Sequence, residues 1–343
     1  MKRAVNFSEK IKAFEKLLDA VVIEKVSSEI YCRKYLSHLL DHAVYYLTIY
    51  ADTFEKYRSH SVKQINETTL IDFGAGNGML GIFAKFCGFK KVFINDIDEK
   101  FIIASRNLAQ QLNIAIDEYI TGDIHAVRSF FQNETADAII GTDVIEHVYD
   151  LEDLFKTIGQ INPSMVSVFT TASNPENYFK VKQLKKLQLR DEYKGGSPDD
   201  FILFGDKELE PFFDTRKRII ISHLENRDEE TIHTLTKATR GMNEADILSA
   251  VKQFNINRTV PSIPAHPTNT CDPLTGSWTE RILTLSAYRR LYDSNGMHVK
   301  VFNGFYDENK KGLKKLLNKL LNKAVNGFGI RFAPYIIFVG AKK

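Results

Sequence analysis

LIDFGAGNGMLG, residues 70–81, is the stretch on which the reading of this chain turns. A short apolar run, TTLIDF, ends in a cluster formed by Gly74, Gly76 and Gly78, and MLGIFAKF behind it has helical character. Glycine suits such a turn because a side chain would keep a ligand off the main chain. The helix that follows offers unpaired N–H groups at its first turn. Asp72 closes the strand, two residues before the first glycine.

Toward the C-terminus the same unit repeats. KVFINDI (91–97) reads as a strand and DEKFIIASRNLAQQL (98–112) as a helix. AIDEYITGDI (115–124) alternates like a strand. ADAIIGTDV (136–144) is a buried-strand run, LEDLFKTIGQI (151–161) a helix and SMVSVFTTAS (164–173) a fifth strand. Strands alternating with helices predict βαβ units and a parallel sheet. From Asn174 to about Glu280 the alternation stops. KVKQLKKLQLRDEY and ETIHTLTKATRGMNEADILSAVKQF look helical there, while GGSPDD and VPSIPAHPTNTCDPLTGS look like loops. Order returns with a helix, LTLSAYRRLYDSNG, ending at Gly296, a strand, HVKVFNGFY, a lysine-rich helix, KKGLKKLLNKLLNKAV, and a final strand, APYIIFVGAKK. Toward the N-terminus, residues 8–60 read as helical. Phe14, Leu17, Leu18, Val21 and Val22 recur at three- and four-residue spacing, and a second helical stretch is rich in Tyr and His.

The expected architecture is an α/β fold with a seven-stranded, mostly parallel sheet. Residues 1–65 form an N-terminal helical segment and 66–173 the core. Residues 174–280 are an insertion that caps the carboxyl ends of the strands, where ligands bind in such sheets, and 281–343 complete the sheet. Composition agrees with a globular protein: of 343 residues, 43% are hydrophobic and 26% charged. A net charge of +3 is too mild for a dedicated nucleic-acid binder. Cys32, Cys87 and Cys271 are few, odd in number and far apart, which argues against a disulfide framework or zinc site and for a reducing cytoplasm. MKRAVNFSEKIKAFEK lacks the apolar run of a secretory signal, and no apolar stretch of about 18 residues predicts a membrane span.

Two nucleotide-type ligands compete for the glycine turn. The dinucleotide fingerprint G-x-G-x-x-G, counted from Gly74, puts Met79 where its third glycine belongs, and the fingerprint is set aside on its register. What stands instead is D-x-G-x-G-x-G, formed by Asp72, Gly74, Gly76 and Gly78. In its strand-turn-helix setting this resembles motif I of the class I, Rossmann-like methyltransferases that use S-adenosylmethionine (SAM). Asp96 closes the second strand about 20 residues after the glycines, where an acid accepts hydrogen bonds from both ribose hydroxyls. Asp98 competes for that role but reads better as the cap of the next helix. Ile97, between them, counts as cofactor-facing. In TGDIHAV the resemblance implies that Asp123 contacts the adenine amine and that Ile124 neighbours the ring. An ordinary turn or cap is the other reading of Asp123. ADAIIGTDVIEHV (136–148) resembles the D-x-I-x-x-x-x-V-x-E-H stretch of small-molecule methyltransferases of this class, here Asp137, Ile139, Val144, Glu146 and His147. Asp143, in the same stretch, also counts as cofactor-facing. The resemblance covers about 66–173 closely and the final portion loosely, and it implies a Rossmann-like sheet whose last strand is antiparallel.

A sulfonium methyl is already activated, so an enzyme of this kind chiefly aligns donor and acceptor and excludes water. A neutral hydroxyl or amine acceptor also needs a base, and histidine suits it. His147 is the first candidate, because the resemblance implies that the end of the fourth strand faces the methyl group; a structural histidine is the alternative. Glu146 either orients His147 or caps a helix, and His125 is a weaker candidate base. His38 and His42, with Tyr45, Tyr46 and Tyr50, either roof a pocket or pack on the core. Trp278 either closes the pocket or anchors packing. The lysines of 182–190 and 310–323 read as solvated faces or as the mark of an anionic acceptor. No metal is expected, since Asp143 lacks a downstream Asp–Asn pair.

The expectation is a cytoplasmic methyltransferase acting on a hydroxyl or amine of a small molecule, such as a sugar, a polysaccharide precursor or a natural product. The N-terminal helices and insertion resemble bacterial methyltransferases of surface-polysaccharide or natural-product clusters. An RNA or protein acceptor, a nicotinamide oxidoreductase and a non-catalytic SAM-binding protein are the competing readings. The accepting atom and the oligomeric state stay open at this point.

Overall fold

The computed structural model describes residues 5–196, 210–225, 228–264 and 268–342. Most of GGSPDD and the centre of VPSIPAHPTNTCDPLTGS lie outside the described residues. The chain forms two compact units. The first comprises 1–145, 151–171 and 285–343, and the second 146–150 with 172–284.

The first unit is built on a seven-stranded sheet. Its strands are β1 (Thr69–Phe73), β2 (Lys91–Asp96), β3 (Glu118–Thr121), β4 (Ala138–Thr142), β5 (Val166–Thr171), β6 (Met297–Asn303) and β7 (Ile336–Lys342). They lie in the order β3-β2-β1-β4-β5-β7-β6. β1 pairs in parallel with β2 and β4, β2 with β3, and β4 with β5, whereas β7 runs antiparallel to both β5 and β6. The chain steps outward from β1 to β3 and returns to β4. The carboxyl ends of β1 and β4 therefore flank the point where the winding direction reverses, which is where open α/β sheets leave a ligand crevice.

Helices α1 (Phe7–Leu18), α2 (Ile30–Asp41), α3 (Ala43–His60), α4 (Met79–Cys87) and α5 (Glu99–Gln111) pack on one another and on the sheet. α6 (Ile124–Phe130) and α7 (Leu151–Ile161) pack together, as do α7 and the helix Leu285–Ser294. Side chains alternate along each strand, so one strand feeds two cores. Leu70, Val92, Ile94, Ile140 and Val168 join Phe14, Leu47, Phe54 and Phe83 in the larger core. Phe93 instead meets Phe130 and Phe131, and Phe169 meets Phe155 of α7. The two helical stretches read within 8–60 are three helices, because the Tyr- and His-rich stretch divides into α2 and α3. The chain leaves α1 at Asp19, and His42, at φ −128°, separates α2 from α3. α6 was not foreseen, because AIDEYITGDI reads as strand to its end; β3 stops at Thr121 and Asp123 caps a new helix.

The second unit is helical: Tyr178–Lys194, Phe212–His223, Glu229–Ala238 and Glu244–Asn257. Its core joins Ile219, Ile220, Leu235, Ile247 and Val251. Residues 230–254, read as one helical stretch, form two helices that turn at Gly241. Arg216 and Glu192 form a fully buried ion pair, with Arg216 Nη1 at 3.0 Å from Glu192 Oε2. Thr270 Oγ1 donates to the same carboxylate at 2.7 Å. Removing one partner of such a pair leaves an uncompensated charge in a dry interior. Trp278 is a packing anchor within this unit. It stacks on Tyr149, donates its indole N–H to the Tyr149 carbonyl at 3.2 Å and carries the Arg281 guanidinium 4.2 Å from its ring centre. Among the described residues, no helix is long and apolar enough to cross a membrane.

Candidate functional site: the glycine turn after β1

β1 delivers Asp72 and Phe73 into the turn, and α4 starts directly after Gly78. Gly74 has φ +65°, and a Cβ there would stand 2.3 Å from Val144 Cγ2, just beyond β4. The ends of β1 and β4 can approach this closely only because the residue is glycine. At Gly76 a Cβ would meet the Tyr35 ring of α2 at 2.8 Å, so this glycine admits the N-terminal helices against the loop. Asn77 reinforces that seat, its Nδ2 donating to the Cys32 carbonyl at 3.0 Å. Ser105 of α5 holds the loop from the other side, donating to the Gly76 carbonyl at 2.9 Å.

Counted from Gly76 rather than Gly74, residues 76–81 do satisfy G-x-G-x-x-G, through Gly76, Gly78 and Gly81. Register therefore does not exclude a dinucleotide, and the exclusion drawn above is corrected. Gly81 performs the packing task of that third glycine: a Cβ there would lie 2.8 Å from Ile94 Cγ1 and 2.9 Å from Asp72 Oδ2. The separation from nicotinamide enzymes rests instead on the strand order with its antiparallel β7 and on the family match reported below.

Two buried carboxyls stand behind the turn. Asp72 Oδ2 accepts the Gly81 N–H at 2.7 Å. Burial nevertheless pushes the Asp72 carboxyl up to about 8, with the Gly81 N–H opposing and the Asp96 charge adding to the rise. Asp96 Oδ2 accepts the Gly76 N–H at 2.8 Å and Oδ1 the Asp98 N–H at 3.0 Å. Burial raises the Asp96 carboxyl as well, against these backbone N–H groups. Each Asp96 oxygen has given one lone pair to the backbone and keeps another, which is what a vicinal diol requires. Asp98 is the N-cap of α5, accepting the Lys100 N–H at 2.9 Å, as the sequence suggests. Ile97 beside them is 75% exposed, an apolar face suited to cover a purine.

Asp123 caps α6, its Oδ1 accepting the N–H groups of His125 and Ala126 at 3.0 and 3.2 Å. Ile124 is buried behind it. Asp143 follows β4 in a left-handed conformation, φ +52°, and is exposed; its N–H donates to the Thr170 carbonyl at 3.1 Å. Such a conformation in a non-glycine residue costs about 1 kcal/mol or more and gathers at functional turns. The Asp143 charge also acts on Tyr46, whose hydroxyl is pushed up to about 12, first by burial and then by Asp143 and Asp307. Tyr46 and His38 are joined at 3.0 Å, and the His38 and His42 rings meet edge to face. His125 pairs with Asp153 at 2.6 Å on the surface between α6 and α7, as a helix-to-helix contact. Asp137 is structural, accepting the Thr69 N–H at 3.0 Å and pairing with Lys63.

Glu146 and His147 belong to the second unit. Glu146 is buried and its Oε1 accepts the Ala172 N–H at 3.2 Å. His147 sits in a turn with Nδ1 at 2.8 Å from the Trp278 carbonyl oxygen. A carbonyl only accepts, so Nδ1 carries a proton, and in the neutral ring the lone pair is therefore on Nε2. Glu280 Oε1 lies 4.0 Å from Nε2, while Glu280 Oε2 accepts from Ser173 Oγ at 3.0 Å. Glu280 has φ +46°, an unusual conformation for a non-glycine residue. Glu280 escaped the sequence reading because 133 residues separate it from His147 and no motif marks it. Among the described residues no cluster of three or more potential metal ligands occurs, and Cys32, Cys87 and Cys271 are buried free thiols.

The sheet order, its antiparallel β7 and the acid-and-glycine turn at the β1/β4 crevice define the class I SAM-dependent methyltransferase fold. The family model described as lysine methyltransferase matches residues 11–186, just over half of the chain; the chain belongs to that family, and its cofactor is SAM. A ribosomal protein L11 methyltransferase of Acinetobacter baumannii is 32% identical over 76 residues, covering 22% of this chain. The chain spans about a quarter (25%) of the length of such curated relatives. Similar solved structures include the magnesium protoporphyrin IX methyltransferase of Synechocystis, with S-adenosylhomocysteine bound, at 11% identity and TM-score 0.37, covering 86% of this chain and 81% of that one. The YcgJ protein of Bacillus subtilis matches at 11% identity and TM-score 0.41, covering 85% and 97%.

Proposed function

We propose that this protein transfers the methyl group of SAM to a hydroxyl or amine of a small molecule, sugar-containing or anionic, with His147 as the base. The observation that supports the role of the base is the His147 tautomer. With Nδ1–H spent on the Trp278 carbonyl, Nε2 is the nitrogen able to take a proton from the acceptor. SAM supplies the electrophilic methyl group; the chain supplies position and proton handling. Asp96 holds the ribose hydroxyls, Ile97 and Ile124 border the adenine with Asp123 at its amine, and Asp72 and Asp143 face the cationic amino-acid end. Once His147 gains a proton, the Glu280 carboxylate stabilises the imidazolium, and Ser173 keeps Glu280 in place. Buried free thiols support a cytoplasmic setting for this chemistry.

A second reading, a protein side-chain amine as acceptor, is favoured by the family's description and by the relatives that act on a ribosomal protein. One experiment separates the two. Isotope-labelled SAM is incubated with the protein and, separately, with the small-molecule and macromolecular fractions of a cell extract. The first reading expects label in a low-mass product and the second in a protein band. His147→Ala should lower turnover on that acceptor at least about tenfold, within the range of general base catalysis, with SAM affinity unchanged. Normal turnover in that variant would remove His147 as the base.

A further inference from the structure

The helix Gly312–Phe328 contributes little of itself to the core. Val325 is its one buried residue. The helix is held along one edge by polar bonds: Asn318 Nδ2 donates to the Asp307 carbonyl, and Asn322 bonds both the N–H and the carbonyl of Tyr306. Leu313, Leu316, Leu317 and Leu320 follow one another at i, i+3, i+4 and i+7, and so form one stripe. They are 54–85% exposed, and Phe328 prolongs the stripe at 69%. Lys315, Lys319 and Lys323 run alongside at four-residue spacing, and these three are exposed and appear in no ion pair among the described residues.

Charge follows the same segment. From Asn309 to Lys343 the sequence holds nine Lys and Arg and no Asp or Glu. Since the whole chain carries +3, residues 1–308 carry 3 − 9 = −6. The basic charge of an otherwise acidic protein is therefore gathered at the helix that also displays its leucines. A lone apolar stripe beside a lysine row is the pattern of a helix that lies in a lipid interface. We infer that Gly312–Phe328 docks the protein on an anionic lipid bilayer, the leucines and Phe328 entering the acyl boundary while the lysines meet acidic headgroups. A second copy of the chain is a poorer occupant, because a two-fold contact through this stripe would set lysine rows against each other. Leucines exposed along the helix also suit a fluid acyl layer, which needs no shape match.

The test is co-sedimentation of the full chain with vesicles of phosphatidylcholine alone and of phosphatidylcholine with about 30% phosphatidylserine. Expected is partition onto the anionic vesicles at least about tenfold above that onto the neutral ones, falling as salt is raised. Lys315→Ala/Lys319→Ala/Lys323→Ala should weaken partition about 100-fold, at about fivefold per lysine. Leu316→Gln/Leu320→Gln should weaken it at least about tenfold while leaving SAM binding and the thermal midpoint in place, since both side chains are more than half exposed. Equal partition onto the two vesicle types, or undiminished binding by the leucine variant, overturns the inference. So does a dimer in solution that the leucine variant disperses while no vesicle binding occurs.

Discussion

Replacing Asp96 by alanine removes an acceptor that serves two backbone N–H groups, at 2.8 Å from Gly76 and 3.0 Å from Asp98, and with it the partner assigned to the ribose. For the cofactor, the lost charged hydrogen-bond partner is worth about 1–3 kcal/mol, or roughly 5- to 150-fold in Kd. For the fold, two effects oppose. Leaving the buried Gly76 N–H without an acceptor costs about 1–3 kcal/mol, whereas removing a carboxyl whose ionised form is penalised by burial returns part of that. The stability loss should therefore fall at the low end of the range and the affinity loss should not. Asp98→Ala is the control. It deletes the α5 cap and should cost about 1 kcal/mol of stability with SAM affinity unchanged. Titration calorimetry with SAM and S-adenosylhomocysteine reads affinity, and urea unfolding reads stability. Unchanged affinity in Asp96→Ala, or a fall in Asp98→Ala of the size expected for Asp96, would refute the assignment of the ribose to Asp96.

Two further outcomes follow from buried charge. The Asp72 carboxyl is raised from 3.8 to about 8 in the folded protein, so between those values the folded state binds the extra proton and stability falls as pH rises, levelling above about pH 8. Asp72→Asn should remove that contribution, gaining on the native protein by a few kcal/mol across this window; unfolding curves that stay parallel from pH 5 to 9 would contradict it. In the second unit, Arg216→Ala leaves Glu192 buried without its main partner and should cost about 3–5 kcal/mol, whereas Arg216→Met paired with Glu192→Leu should cost much less. A loss under about 1 kcal/mol for the single variant, measured by denaturant midpoint, would show the pair to be solvated.

The parts of this fold that were legible in the sequence are those set by local chemistry. The acid-and-glycine turn, the alternation of five strands with helices and the Asp98 cap each depend on a few neighbouring residues. The Rossmann-like α/β class followed from them, as did the family resemblance at Asp72–Gly78, Asp96 and the 136–148 stretch. The rest depends on residues far apart in the chain. Nothing near Gly76 announces that Tyr35 lies over it, or near His147 that Trp278 and Glu280 set its tautomer and its neighbour. The helix Phe212–His223 went unread because three consecutive isoleucines blur its period, and Arg216 within it gives no sign of being buried. Leucines on a helical stripe ordinarily mark a core face, so their exposure on Gly312–Phe328 could not be read from spacing.

The account as a whole depends on the turn after β1 holding a sulfonium nucleoside. Titration calorimetry of the purified protein with S-adenosylhomocysteine, in competition with SAM and with NADH, tests this directly. The account predicts one saturable site per chain, shared by the two sulfur nucleosides and indifferent to NADH. Heat from NADH with none from either sulfur nucleoside would contradict it, and would return the Gly76–Gly78–Gly81 register to a dinucleotide.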